Sequence, residues 1–381
     1  MTKSGLVKLT ESFSDMPDPR VIGRTDHHLV DILVLTVCAV LCGADDWEAV
    51  EMWGDAKLAW LRQYIPLRNG IPSHDTIGRV FAALDSKTFQ DCFTRWVSTI
   101  CGSLVHQVVA IDGKTMRGSH HRRLGKKAIH MVSAFASDLG ITLGQLKTAE
   151  KSNEITAIPE LLAMLELTGC IVTIDSMGCQ TDIATAIIEK DAHYVLALKG
   201  NHEKLHEQVQ DFFDIAEQHD YKALKATPYV TCEKGHGRIE TRRVVALPSK
   251  HLDNVGSWTG LTSMVMVESI REIGDKITKE RRFYISSLAP DARQIGEAIR
   301  AHWGIENQLH WCLDVTFKED ACRIRDGHAA ENFNLIRKIT MNLLRQDTTP
   351  LKKQSIPKKR LYAALHDDYL ASVLGLSPLT V

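Results

Sequence analysis

Residues 108–112 read VVAID and residues 170–175 read CIVTID: two short apolar runs, each stopped by an aspartate. Each has the length of a buried strand, and the carboxyl ends of parallel strands are where ligand sites form in an α/β sheet. Between them, IHMVSAFAS (129–137) and ITLGQLKT (141–148) flank the turn Ser137-Asp138-Leu139-Gly140, which predicts a hairpin. Thr156 reads as the cap of a helix through AIPELLAMLEL, with Pro159 in its first turn and Gly169 behind it. DIATAIIEK (182–190) reads as a helix, and HYVLALKGN (193–201) as a strand ending at Lys199 and Gly200. The order predicts an α/β domain with a mixed sheet. The hairpin supplies antiparallel pairs and the helical crossovers parallel ones.

Outward from this block the pattern changes on both sides. Residues 1–107 read as a helical unit, with helices predicted over 26–43, from Trp47, over 73–84 and over 87–100. Ser73 or Asp75 is available as a cap. The unit holds 10 Lys/Arg and 13 Asp/Glu, so it is no strong phosphate binder over its whole surface, though one helix could read DNA. An acid-rich helix opens 201–282, and strands follow over 242–247, 261–270 and from Lys279 across the boundary to Ile285, an inserted β-rich module. Residues 283–345 resume the α/β rhythm, and 346–381 form a basic tail. From Arg337 to Arg360 there are 8 Lys/Arg and one acid, a candidate phosphate-contact tract.

The 381 residues carry 46 Lys/Arg against 47 Asp/Glu, with 44% hydrophobic residues. That is ordinary globular composition, and it excludes a largely disordered chain. A net charge of -1 removes the simple argument for nucleic acid, so any DNA case must rest on local charge. The longest apolar stretch, Ile32 to Ala44, is 13 residues, too short for a bilayer. The first residues lack a secretory signal. Nine cysteines without a CxxC motif read as reduced small hydrophobes of a cytoplasmic protein. A zinc site from Cys312, Cys322 and a histidine lacks the spacing of a metal finger.

Three acids carry the chemical argument. Asp112 and Asp175 end their runs. Either alone reads more readily as a turn residue. Glu306 changes the weighing: it falls on the stripe Ile295, Ile299, Leu309 and Leu313 of a helix opened near Asp291, so a carboxylate would face the sheet. A structural ion pair is one reading. The other is that three convergent carboxylates hold Mg²⁺, and two such ions can activate an attacking oxygen and stabilise a leaving oxygen at a phosphodiester. Basic residues follow the first acid at once: Lys114, Arg117, Arg122, Arg123, Lys126 and Lys127. With Lys199 they are candidates for phosphate contact. Around Glu306 stand His302, Trp303, Asn307, His310 and Trp311, then Asp314, Arg323 and Arg325. The tryptophans either close the core or stack on a base.

These residues sit within longer phrases. DPR (18–20), GIPSHDTIGRV (70–80), AIDGKTMRGS (110–119), KSNEITAIPELL (151–162), TIDSMGCQ (173–180), HGRIETRR (236–243), FYISSL (283–288) and HWGIENQLHWCLDV (302–315) occur in order nearly end to end. They resemble bacterial insertion-sequence transposases of the DDE type, above all the H-repeat-associated proteins of Rhs elements. The resemblance implies an RNase H-like catalytic domain with Asp112, Asp175 and Glu306 as catalytic, metal-holding residues. It further implies Mg²⁺ as cofactor, with Mn²⁺ able to substitute, and double-stranded DNA at element ends and target as substrate. A homodimer assembled on DNA and a bacterial, nucleoid-associated location follow the same way. The tyrosine, arginine and lysine that many relatives place around the third acid are Ile299, His302 and Leu313 here. Alternatives are an RNase H-like nuclease without strand transfer, a non-catalytic DNA-binding relic, and a carboxylate-metal phosphatase.

Overall fold

The structure, a computed structural model, describes residues 5–376 except 22, 24, 121–124, 126, 149–153, 220, 222, 223, 225, 236 and 254. Its strands are β1 (Val108–Met116), β2 (Ile129–Ala136), β3 (Ile141–Lys147), β4 (Ile171–Ile174), β5 (His193–Leu198), β6 (Tyr229–Gly235), β7 (Arg238–Pro248), β8 (Ser263–Ile273) and β9 (Lys276–Ser286). They form one sheet in the order β3-β2-β1-β4-β5-β9-β8-β7-β6. β1, β4 and β5 are parallel neighbours, and every other pairing is antiparallel. The first five strands are the mixed RNase H-like sheet expected from the sequence. β6 to β9 extend it past β5 through the register Val195↔Ser286 to Leu198↔Phe283.

Asp112 does not end its strand, contrary to the sequence reading. β1 runs four residues further because β2 keeps pairing with it, Asp112↔Ser133 through Met116↔Ile129. What ends at this level is β4, whose Ile174 is the register partner of Ile111.

The helices before the sheet are α1 (Gly5–Phe13), α2 (Leu29–Leu41), α3 (Trp47–Leu61), α4 (His74–Ala83) and α5 (Ser86–Ile100). Side-chain caps set three of their starts. Asp46 accepts from the Ala49 amide, Ser73 from Thr76 and Asp85 from Thr88. α2 is buried on almost every face, so its apolar run is a bundle centre. Next come α6 (Glu154–Ala163), which starts ahead of the expected Thr156 cap, α7 (Thr181–Ile188), α8 (Glu203–Gln218) and α9 (Ala292–His302). The last are α10 (Trp311–Val315), α11 (Ala329–Arg345), α12 (Ile356–Leu365) and α13 (Asp367–Leu374).

Two cores flank the sheet. The larger joins α2, α5, α6 and α11 to one face without a break between the helical unit and the strands. The smaller is built by α9 on the other face, where Ile295, Ala298 and Ile299 meet Val108, Ile171, Val195 and Val265.

α11 corrects the reading of the basic tract. All its residues before Arg345 are buried, Arg337 and Lys338 included. Lys359 and Arg360 are buried too. Lys359 Nζ donates to the Leu344 carbonyl, and Arg360 donates to the Thr316 and Val40 carbonyls. Lys359 and Arg360 thus satisfy main-chain oxygens, Lys338 donates to the Ser133 hydroxyl, and none of the four buried cations can reach a phosphate. Lysines 352 and 353 lie in the short helical turn Pro350–Lys353; Lys353 and Lys358 are exposed and Lys352 is at a pocket wall. Of the nine cysteines, only Cys232 is exposed. Among the described residues no helix is long and apolar enough to cross a membrane.

Candidate active site

Asp112 and Asp175 become neighbours through strand register. Ile111 and Ile174 are paired across the parallel strands, and each aspartate is the next residue. Adjacent strands lie about 4.8 Å apart, so the two carboxylates share the carboxyl end of one parallel pair. Asp175 Oδ1 accepts from the amides of Met177 at 2.9 Å and Gly178 at 3.4 Å, which fixes its direction. Gly113 is required beside Asp112. A Cβ there would fall 2.1 Å from Glu154 Oε1 and 2.4 Å from His130 Nε2. Gly113→Ala is expected to cost about 1–3 kcal/mol in denaturant unfolding, because an ion pair must move.

Glu306 is reached differently from the sequence expectation. Ile295, Ile299, Leu309 and Leu313 are all buried, but in two cores rather than on one stripe, and Glu306 is exposed. The helix is not one uniform α-helix: residues Ile305–His310 form a π turn between α9 and α10. A π turn holds an extra residue and shifts the phase of the helix. Across that turn the apolar residues change cores, Ile295 and Ile299 packing into the smaller and Leu309 and Leu313 into the larger, while Glu306 shares with Ile299 the wall of a pocket of about 300 Å³. That pocket is also lined by Asp112, Asp175, Lys199, His302 and Trp303.

The electrostatics of the pocket centre on Asp112. Burial pushes its carboxyl up to about 7, and the charges of Glu154, Asp175 and Glu306 push the same way. Glu154 is the nearest of these in effect, and sequence reading missed it. It is buried and lies 2.7 Å from His130 Nε2. No motif distinguished it from an ordinary helix-start acid. His310 Nδ1 lies 3.5 Å from Asp112 Oδ2. Burial drives this imidazole down to about 3, with Lys338 and Lys114 adding to the effect, so it is neutral. His302 is held low by burial, and its Nδ1 is 2.9 Å from Thr173 Oγ1 on β4.

The basic candidates scatter. Lys114 is not free for DNA. Its ammonium lies 2.7 Å from Asp314, 2.5 Å from Glu319 and 3.5 Å from Asp320, with only 12% of the side chain exposed. Those three acids are the group with ligand oxygens within 4.8 Å of one another among the described residues. The Lys114 ammonium already fills the cation position between them, so we assign the cluster as a buried ion-pair cage. Asp112, Asp175 and Glu306 line one pocket without closing to that spacing.

Arg117 is 83% exposed beside Asp320, and Lys127 is exposed. Arg122, Arg123 and Lys126 lie outside the described residues. Arg323 and Arg325 line a separate cleft with Asp45, His74 and Arg79, away from the three acids. His310 is partly buried, and Trp311 is exposed but lines none of these walls. Trp303 has the Arg282 guanidinium 5.4 Å from its ring centroid. Asn307 lines a groove of about 610 Å³ that adjoins the acids along β6 to β9 and carries Arg238, Arg242, Arg271, Arg282 and Arg300. Arg300 lies on α9 and the other four on β7 to β9, where acids interleaved with them hide the basic pattern in the sequence.

A family model described as the transposase DDE domain matches residues 103–343, and one described as DDE_Tnp_1-associated matches 10–97. The chain belongs to the DDE transposase family. Among relatives of this transposase, "Putative transposase YncI" of Escherichia coli O157:H7 is 44% identical, covering 96% of this chain and 94% of its own length. "H repeat-associated putative transposase YhhI" of E. coli K12 is 43% identical, over 98% of this chain and all of its own. A solved structure of a piggyBac transposase synaptic complex with hairpin DNA aligns with a TM-score of 0.48 at 10% identity, over 98% of this chain and 81% of the other.

Proposed function

We propose that this transposase cleaves DNA at the ends of a mobile element and joins the freed 3′ ends to target DNA, with Asp112, Asp175 and Glu306 holding divalent cations, Mg²⁺ or Mn²⁺. The observation that carries the reading is the meeting of these three acids on one pocket wall, from β1, the end of β4 and the π turn. The donor set fits such a cation. It is made of hard carboxylate oxygens, and Asp112 is held up to about 7 by burial beside further acids, a penalty that a cation relieves.

When bound, Mg²⁺ supplies Lewis-acid stabilisation of charge on the attacking and leaving oxygens of the phosphodiester. The protein's own part is placement. β1 and β4 fix two carboxylates side by side. Neutral His310, 3.5 Å from Asp112, is placed to orient that carboxylate without neutralising it. Lys199, exposed on the pocket rim, is placed for a phosphate oxygen near the scissile bond. Duplex DNA is the substrate, and two ends brought together call for two copies of the chain.

The test is a pre-nicked duplex bearing a free 3′-hydroxyl, incubated with target DNA and Mn²⁺. Joined product supports a transposase. Cleavage without joining assigns a nuclease, and neither product assigns a non-catalytic DNA binder.

The raised Asp112 group gives a pH signature. Its folded pKa, about 7, lies above the usual carboxylate value. Between about pH 4 and 7 the folded state therefore holds a proton that the unfolded state has lost, and this group's contribution to stability falls as pH rises. Cation binding removes the penalty. Millimolar Mg²⁺ is therefore expected to raise the thermal midpoint more at pH 8 than at pH 6. Asp112→Asn is expected to abolish that difference. Equal shifts at both pH values would oppose the assignment.

A further inference from the structure

Arg345 ends α11 as a half-buried guanidinium, and among the described residues no aspartate or glutamate pairs with it. A partly desolvated charge without an acid partner depends on its other contacts. Those contacts converge on one residue of the π turn. Nη1 donates to Gln308 Oε1 at 3.0 Å, and Nη2 donates to the Gln308 carbonyl. The guanidinium also sits 5.4 Å from the Phe135 ring centroid on β2. Gly140, at φ +68°, keeps the space open, since a Cβ there would stand 2.5 Å from Nη1.

We infer that Arg345 is a positioning residue that holds the Ile305–His310 π turn by gripping Gln308, and so presents Glu306 to the pocket. The inference rests on the proposed role of Glu306 as a cation ligand. Its physical basis is the placement of the turn. Glu306 and Gln308 belong to the same π turn, two residues apart. Tying Gln308 to a neighbouring helix fixes the segment that carries the acid. The Gln308 carbonyl is bound by a side chain from another helix, which favours the wide turn over regular α-helix. α11 itself is locked to the sheet: Asn342 takes the Thr142 amide and donates to the Thr142 carbonyl, and Lys338 donates to Ser133. Arg345 therefore refers the Glu306 turn to β2 and β3, and Ser133 of β2 is the register partner of Asp112.

The test measures Mn²⁺ binding by electron paramagnetic resonance in the full chain, without DNA. Glu306→Gln is expected to weaken Mn²⁺ binding about tenfold. Arg345→Met is expected to do the same, and the double variant to be no weaker than either single one. Amide hydrogen exchange over 303–315 should change in Arg345→Met but not in Glu306→Gln. Gln308→Ala, which removes only the side-chain contact, should weaken Mn²⁺ binding about threefold, and it carries the test if Arg345→Met does not fold. Wild-type affinity in Arg345→Met and Gln308→Ala, or full additivity of Arg345→Met with Glu306→Gln, overturns the positioning role alone. Mn²⁺ binding indifferent to both Asp112→Asn and Glu306→Gln overturns the carboxylate reading, and this inference with it.

Discussion

Asp175→Asn is expected to lower metal-dependent DNA cleavage by on the order of a thousandfold, equivalent to about 4 kcal/mol of transition-state stabilisation. DNA binding should stay within about twofold. The substitution is chosen for what it spares. The Asp175 Oδ1 contacts to the Met177 and Gly178 amides need an acceptor, which asparagine retains. What is lost is the charge beside Asp112. A gel assay of nicked product against time measures the effect. Cleavage at the wild-type rate would contradict the role given to Asp175.

The second large effect is on stability. Lys114→Met is expected to lower unfolding free energy by about 3–5 kcal/mol, because it removes the ammonium between buried Glu319, Asp314 and Asp320 and leaves only the exposed Arg117 beside Asp320. Partial burial of Asp320 tempers the figure. Urea unfolding followed by circular dichroism reads it. A loss under about 1 kcal/mol would mean that the cage is solvated and Lys114 is free to act elsewhere.

The same cage shows why some of the site was legible in the sequence and some was not. The central strands and their aspartates could be read because buried strands are uniformly apolar, and an acid at their end breaks the pattern at one residue. β6 was missed: its residues, Tyr229–Gly235, are largely exposed and offer no apolar run. The mid-strand position of Asp112 was hidden because β1 turns polar where only β2 pairs with it.

Charge runs misled for a related reason. Lys114, Lys338, Lys359 and Arg360 look solvated in sequence, yet each is buried against acids, hydroxyls or carbonyls supplied by distant segments. Sequence spacing cannot show a partner 205 residues away, as for Lys114 and Glu319. Nor does an i+3/i+4 reading contain a π turn. The single stripe from Ile295 to Leu313 is in fact divided by that turn: Ile295 and Ile299 pack into the smaller core, Leu309 and Leu313 into the larger.

The most direct measurement is an anomalous difference map from a crystal grown with Mn²⁺. The account predicts density bound by Asp112 and Asp175, with Glu306 drawn to it. A peak confined to Asp314, Glu319 and Asp320, or none against Asp112, would contradict it.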